Sequence, residues 1–284
     1  MTLGQALAQA QMQGLDRLDA SLLLLHLLGR DHDRAWLLAH QNDPLEAQTQ
    51  QRYRDLCIKR REGQPVAYLT GEKEFFGLSL RVDGRVLIPR PDTETLVEWA
   101  LSLALPERAR VIDLGTGSGA IALALKHARP QWQLTGLDLS PGALAVARSN
   151  AQRLGLCIDW VEGSWLEGIA GPFDLIVSNP PYIAEGDPHL KALRYEPATA
   201  LTAGPEGLHA LAQVIEQAPS RLTRGGWLLL EHGHDQAQTV RALLEHAGWQ
   251  EVQSRPDLAG IERCSGGRTS PNADGGIRAM AESG

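Results

Sequence analysis

Apolar residues near the start of the chain recur at helical spacing. Leu3, Leu7 and Ala10 fall on one face, and Leu18, Leu22, Leu25 and Leu28 repeat the interval. Gly14, Gly29-Arg30-Asp31 and Asn42-Asp43-Pro44 divide this stretch into short helices. The pattern predicts a small helical bundle over residues 1–70. Alternation and glycines from Gly71 to Val82 then predict a β-hairpin, within a linker over residues 71–90. Beyond it, Asp92 or Thr93 is placed to cap a helix carrying Leu96, Val97, Trp99 and Leu103. From Arg110 the pattern becomes strand, helix, strand, helix. Strands are expected at Val111–Leu114, Leu134–Asp138, Ile158–Val161, Phe173–Ser178, Trp227–Glu231 and Trp249–Ser254. Helices are expected from about Ala120, from Pro141 to Leu154, and after Glu231. Apolar strands alternating with helices define an α/β domain over residues 91–265, with a mostly parallel sheet covered on both faces. Residues 266–284, rich in Gly, Ser, Pro and Asn, read as a disordered tail.

Composition narrows the class. The chain has 284 residues, 43% of them hydrophobic and 21% charged, as in a soluble globular protein. The run Leu22–Leu28 is too short to span a bilayer, and Met1 is not followed by a secretory signal. Cys57, Cys157 and Cys264 lie far apart, as reduced cytosolic thiols do. A net charge of −7 argues against a general nucleic-acid grip. The densest basic cluster, Arg52, Arg54, Lys59, Arg60 and Arg61, reads as a solvated helix face. His232-Gly233-His234-Asp235 reads as a strand-end turn, and no metal site is expected.

Two segments carry chemistry. The first is Asp113-Leu114-Gly115-Thr116-Gly117-Ser118-Gly119, between a strand and a helix. Its glycines permit a tight turn and close approach of a ligand, and backbone N–H groups at the helix start favour a negative group. Asp138 ends the next strand, where an acid accepts hydrogen bonds from ribose hydroxyls or caps the helix that follows. No Lys-Ser/Thr pair follows Gly119, which argues against an NTPase.

The second segment is Asn179-Pro180-Pro181-Tyr182. Two consecutive prolines lack N–H groups, so the preceding strand must stop there in a stiff turn. That turn offers an Asn side-chain oxygen, a free carbonyl and an aromatic face. Together these suit a planar NH2 group, either a side-chain amide or the exocyclic amine of a base. Both segments fall on the carboxyl edge of the expected sheet, facing one crevice.

These residues resemble class I S-adenosylmethionine methyltransferases. More closely, the chain is similar to the HemK/PrmC family, the protein-(glutamine-N5) methyltransferases of peptide chain release factors. Val86 to Glu94 carries the resemblance, with Asp113 to Gly119 and the helix after it. So does Asn179 to Ile183, followed by Glu196-Pro197 and Ala203 to Leu208. The resemblance implies a Rossmann-like fold with S-adenosyl-L-methionine as cofactor. It implies that Gly115, Thr116, Gly117, Ser118 and Gly119 line the cofactor, that Asp138 binds its ribose and that Trp165 lies beside the adenine. Asn179 would touch both cofactor and substrate. Asn179, Pro180 and Tyr182 would be catalytic, and with Pro181 would bind the substrate glutamine of a Gly-Gly-Gln motif. Many relatives carry an acid where this chain has Ser164. The implied setting is a cytoplasmic monomer acting in translation termination, with no nucleic acid or membrane as partner. A ribosomal-protein glutamine methyltransferase shares the turn, as does an N6-adenine DNA methyltransferase, and a non-catalytic binding module can keep the fold. The Arg90-Pro91-Asp92-Thr93-Glu94 segment favours release factors, and the acidic charge counts against DNA.

Overall fold

Thr2 opens the first helix with a capping box, its hydroxyl accepting from Gln5 N–H while the Gln5 side chain accepts from Thr2 N–H. The computed structural model describes residues 1–31 and 33–270. Its N-terminal part holds α1 (Leu3–Met12), α2 (Arg17–Leu27), α3 (Arg34–Ala39), α4 (Ala47–Arg61) and α5 (Val66–Thr70). Leu3, Ala6, Leu7 and Ala10 meet Ala20, Leu23, Leu24, Leu25, Tyr53 and Cys57 in one core. The stripe on α2 is rotated from the expected one. Leu18 is 44% exposed and Leu22 only partly buried, while Leu23 and Leu24 are fully buried. Four consecutive leucines offer an apolar residue to any face. Packing against α4 selects the face, with the Tyr53 hydroxyl donating to Ala20 O at 3.0 Å. On α4, Arg52 and Arg54 face solvent, and Arg60 pairs with Asp19 at 2.6 Å.

The hairpin forms as expected, β1 (Glu72–Phe75) against β2 (Leu78–Arg81). Phe75 is buried in the core of the next domain. Asn150 anchors the hairpin there. Its Oδ1 accepts from Arg81 N–H at 2.7 Å, and its Nδ2 donates to Arg81 O and Ser118 O, each at 3.0 Å. A fully buried amide with these partners satisfies its polar atoms while tying three segments together.

After α6 (Glu94–Ser102) come β3 (Arg110–Leu114), α7 (Ala120–Ala128), β4 (Gln133–Asp138), α8 (Pro141–Leu154), β5 (Asp159–Glu162) and β6 (Phe173–Ser178). Then follow α9 (His209–Gln217), β7 (Leu222–Glu231), α10 (Ala237–His246), β8 (Gln250–Pro256) and β9 (Glu262–Arg268). The sheet order is β5-β4-β3-β6-β7-β9-β8, parallel through β7, with β9 antiparallel to both neighbours. Alternate residues serve opposite faces. Val111, Val177 and Leu229 enter the core under α6 and α7, and Ile112, Ile176 and Leu228 the core under α9 and α10. Strand order reverses between β3 and β6, so the loops after these strands open a crevice at the carboxyl edge.

Two expectations change here. The boundary at residue 265 falls inside β9. Ser265, Gly266 and Gly267 are buried, and a Cβ at Gly266 would lie 2.4 Å from Leu228 O. Glycine there permits the close approach of two strands rather than marking a tail. The remainder of that expected tail, residues 271–284, lies outside the described residues. Thr93 does precede α6, yet its side chain makes no capping bond.

Candidate active site

Asp113, next to last in β3, is fully buried. Its Oδ2 accepts from the Thr116 hydroxyl at 2.6 Å and from Ala122 N–H at 3.2 Å, and Oδ1 has no partner among the described residues. Burial pushes its pKa up to about 7 against the pull of those two bonds. The turn that follows needs left-handed backbone at Gly115 (φ 67°) and Gly117 (φ 56°). Both glycines line a cavity of about 380 Å³, together with Asp138, Ser164, Trp165 and Asn179. The other loop residues hold the turn from beneath. Thr116 is buried on Asp113, and the Ser118 carbonyl is taken by Asn150. A Cβ at Gly119 would come within 3.0 Å of Leu123 and Trp160.

Asp138 is held by backbone. Oδ2 accepts from Gly117 N–H and Oδ1 from Ser140 N–H, both at 2.9 Å. Ser140, rather than Asp138, caps α8 by accepting from Ala143 N–H at 3.2 Å. Burial raises the Asp138 pKa, and backbone donors offset part of that. Trp165 reaches the cavity from a left-handed backbone (φ 50°), uncommon for a bulky residue.

The double-proline corner begins where Ser178 donates to Leu114 O at 2.7 Å, fixing the ends of β6 and β3 together. Asn179 Nδ2 donates to Thr93 Oγ1 at 3.3 Å. That leaves Asn179 Oδ1 as an open acceptor beside the cavity. Pro181 lines the cavity, Pro180 is buried, and Tyr182 sends its hydroxyl to Glu231 Oε1 at 3.2 Å. The Tyr182 carbonyl accepts from Gln236 Nε2 at 3.1 Å. Ile183 N–H donates to Leu201 O at 2.9 Å, and Ala203 N–H returns to Ile183 O at 3.2 Å. Residues 201–208 therefore back the corner.

Three residues that carried no site role in the sequence analysis support the site. Glu196, buried, accepts from Ile88 N–H at 3.0 Å and pairs with Arg90, pinning the segment after the hairpin, of which Arg85, Val86 and Leu87 line the cavity. Thr93 orients Asn179, and Glu231 receives Tyr182. Their signals were present, since Thr93 and Glu196 lie in segments that carry the family resemblance and Glu231 ends an apolar strand. His232 is a structural residue, its ring nitrogens within hydrogen-bond reach of Gly233 O (2.9 Å) and Ser265 Oγ (2.8 Å). Among the described residues no group of three or more His, Cys, Asp or Glu is placed to hold a metal ion. No helix among them is long and apolar enough to cross a membrane.

Parallel strands feeding a glycine turn, an acid after the neighbouring strand and an Asn-Pro-Pro-Tyr corner on one edge define a class I methyltransferase. Residues 93–196 match the methyltransferase small domain family, and residues 3–71 match the PrmC N-terminal domain. A crystal structure of a methyltransferase from Pyrococcus furiosus superposes with a TM-score of 0.55 over 75% of this chain and 97% of that one, at 19% identity. The release factor glutamine methyltransferase of Bordetella pertussis is 53% identical over 259 residues, 89% of this chain and 95% of that protein. That of Xylella fastidiosa (strain Temecula1) is 48% identical over 268 residues, 93% and 97% of the two chains. The chain belongs to the release factor glutamine methyltransferase family.

Proposed function

We propose that this enzyme methylates the side-chain amide nitrogen of the glutamine in the Gly-Gly-Gln motif of peptide chain release factors, using S-adenosyl-L-methionine. The observation that carries the reading is the commitment of the Asn179 NH2 to Thr93, which leaves its oxygen free at the cavity.

The site fits the cofactor. A cavity of about 380 Å³ is of ordinary size for such a ligand. Backbone at Gly115 and Gly117, with the unpartnered Asp113 Oδ1, suits a charged amino-acid end. Asp138 suits ribose hydroxyls, and Trp165 and Ser164 the adenine. Thr116, Ser118 and Gly119 keep the turn in shape. When bound, the cofactor supplies a methyl group carried on a sulfonium.

An amide nitrogen is a poor nucleophile, because its lone pair is delocalised into the carbonyl. The chain's task is placement. Asn179 Oδ1 and the Pro180 carbonyl accept the two N–H bonds of the substrate amide. Pro181 stiffens the corner, and the Tyr182 ring packs on the amide plane. As positive charge grows on nitrogen, both acceptors bind more strongly, which stabilises the transition state selectively. A glutamate carboxylate offers these acceptors no proton, at a cost of about 1–3 kcal/mol for each unpaired group. The release factor is the partner, in the cytoplasm, and the enzyme acts as a monomer.

Incubation with a purified release factor and isotope-labelled cofactor, followed by mass mapping, tests the assignment. One methyl on the motif glutamine is expected, and Asn179→Ala slows its transfer about 10²–10³-fold. Methylation elsewhere, or near-normal turnover by Asn179→Ala, refutes it.

A further inference from the structure

Two stretches of the cavity lining lie outside the sheet. Arg85, Val86 and Leu87 follow the hairpin, while Pro197, Thr199 and Ala200 come from much later in the chain. Strand ends therefore do not set the spacing between them. Glu196 stands at their junction, immediately before Pro197 and bonded to the residue after Leu87. Its side chain is 3% exposed. Oε2 accepts from Ile88 N–H at 3.0 Å, and Oε1 accepts from the Arg90 guanidinium. Both oxygens are thus taken by donors of one segment. A carboxylate can do this, whereas an amide of the same size has one acceptor and turns its NH2 towards the other donor.

The neighbours make this junction a fixed point. The Tyr68 hydroxyl on α5 donates to Val86 O at 2.6 Å. Arg194 and Tyr195, the two residues before Glu196, both donate to the carbonyl of Glu62 just after α4, the Tyr195 hydroxyl at 3.2 Å. Beyond the lining residues, Leu201 O accepts from Ile183 N–H at 2.9 Å. Residues 194–201 therefore run from the helical domain, along the cavity, to the double-proline corner. Glu196 is where they meet the segment after the hairpin.

We propose that Glu196 is a positioning residue for the cofactor, its carboxylate tying the two stretches into one wall that holds S-adenosyl-L-methionine in place. The inference rests on the cavity being the cofactor's. A wall assembled in advance leaves less ordering to be done on binding. Its loss belongs in dissociation, because differences in affinity among variants of one site lie mostly in that rate.

The test loads the enzyme with isotope-labelled S-adenosyl-L-methionine and chases it with unlabelled cofactor, while calorimetry gives Kd. Glu196→Gln should speed dissociation about tenfold, the equivalent of one hydrogen bond's net contribution. The association rate, from the ratio of the two measurements, should change less than about twofold. Arg90 meets Glu196 through one nitrogen, so Arg90→Lys should keep the wild-type dissociation rate and Arg90→Met should raise it. In the Glu196→Gln background Arg90→Met should add nothing, because Arg90 acts through Glu196; general loosening of the fold would instead add. The Arg90 side chain is 35% exposed, so the contrast between its Met and Lys variants carries the test if Glu196→Gln does not fold.

Wild-type dissociation in Glu196→Gln or in Arg90→Met, a loss of affinity confined to association, or additive effects of the two substitutions overturns the proposal. If Asp138→Ala weakens cofactor binding while Glu196→Gln dissociates like wild type, only this proposal falls. If neither variant alters cofactor binding, the cofactor reading of the cavity fails and this inference with it.

Discussion

One added methyl group at Gly207 should displace the double-proline corner. A Cβ there would lie 2.2 Å from the Tyr182 carbonyl oxygen, 2.9 Å from its carbon and 3.1 Å from Ala184 N. Ordinary contact begins at 3.4 Å, and every atom it meets is backbone, so the chain must part by about 1 Å. Gly207 also has φ 69°, which adds about 1–2 kcal/mol for an L side chain. Gly204 supplies the control. Its φ is 75°, but the nearest atom to its Cβ is His209 Cβ at 3.7 Å. Gly204→Ala therefore carries the same backbone strain without the collision. Gly204→Ala should lose a few degrees of thermal midpoint, roughly 2–8 °C, and Gly207→Ala more, because the collision adds to the same strain. Only Gly207→Ala should lose kcat, by about 10²-fold, because misplacement of reacting groups by about 1 Å costs that much. Steady-state transfer to a release factor gives kcat, and calorimetry gives cofactor affinity, which should fall less than kcat because Gly115, Gly117 and Asp138 are untouched while Asn179 and Pro181 also line the cavity. A Gly207→Ala enzyme with the kcat of Gly204→Ala would refute the dependence of the corner on the segment behind it.

Three further outcomes follow from the same geometry. Asp138→Ala should weaken cofactor binding by about 1.5–3 kcal/mol, as for hydrogen bonds to a charged group, with folding intact; unchanged affinity by calorimetry contradicts its role. Gly136→Ala should destabilise the domain by about 1–3 kcal/mol, since its Cβ would sit 2.3 Å from the Trp160 ring and 3.2 Å from Thr116 Oγ1; an unchanged denaturant midpoint contradicts that packing. For Glu231 the folded pKa is raised from 4.5 to about 7, so the folded state holds its proton more tightly and stability falls as pH rises through that window. Glu231→Gln should then be more stable than wild type at about pH 8, by up to about 3 kcal/mol, and match it near pH 4. Equal thermal midpoints at both pH values contradict a strained carboxylate.

Legibility in the sequence followed how local each determinant is. α8 runs from Pro141 to Leu154 as its period and Pro predict, with Ser140 as its cap. β3, β4 and β6 were visible because strands buried on both faces are short apolar runs closed by turn residues. β9 was not, because Ser265-Gly266-Gly267 looks like linker, and only the approach of β7 explains those glycines. The leucine run of α2 showed a helix but not its buried face, which packing against α4 decides. At the site, Gly115, Gly117, Asp138 and Asn179 could be named from motifs at strand ends and Trp165 only from the family resemblance, and all five line the cavity. Glu196 and Glu231 could not be assigned roles, and Thr93 was read as a helix cap rather than as the partner of Asn179. Thr93 meets Asn179 across 86 residues and Ile88 meets Glu196 across 108, separations that no local pattern encodes.

The central claim is that the corner presents two oxygens to an amide NH2. A structure of the enzyme with demethylated cofactor and a release factor measures it directly. Asn179 Oδ1 and Pro180 O should each lie about 2.7–3.2 Å from the motif glutamine nitrogen. A glutamine nitrogen out of reach of both oxygens, or facing the Asn179 NH2, would contradict the account.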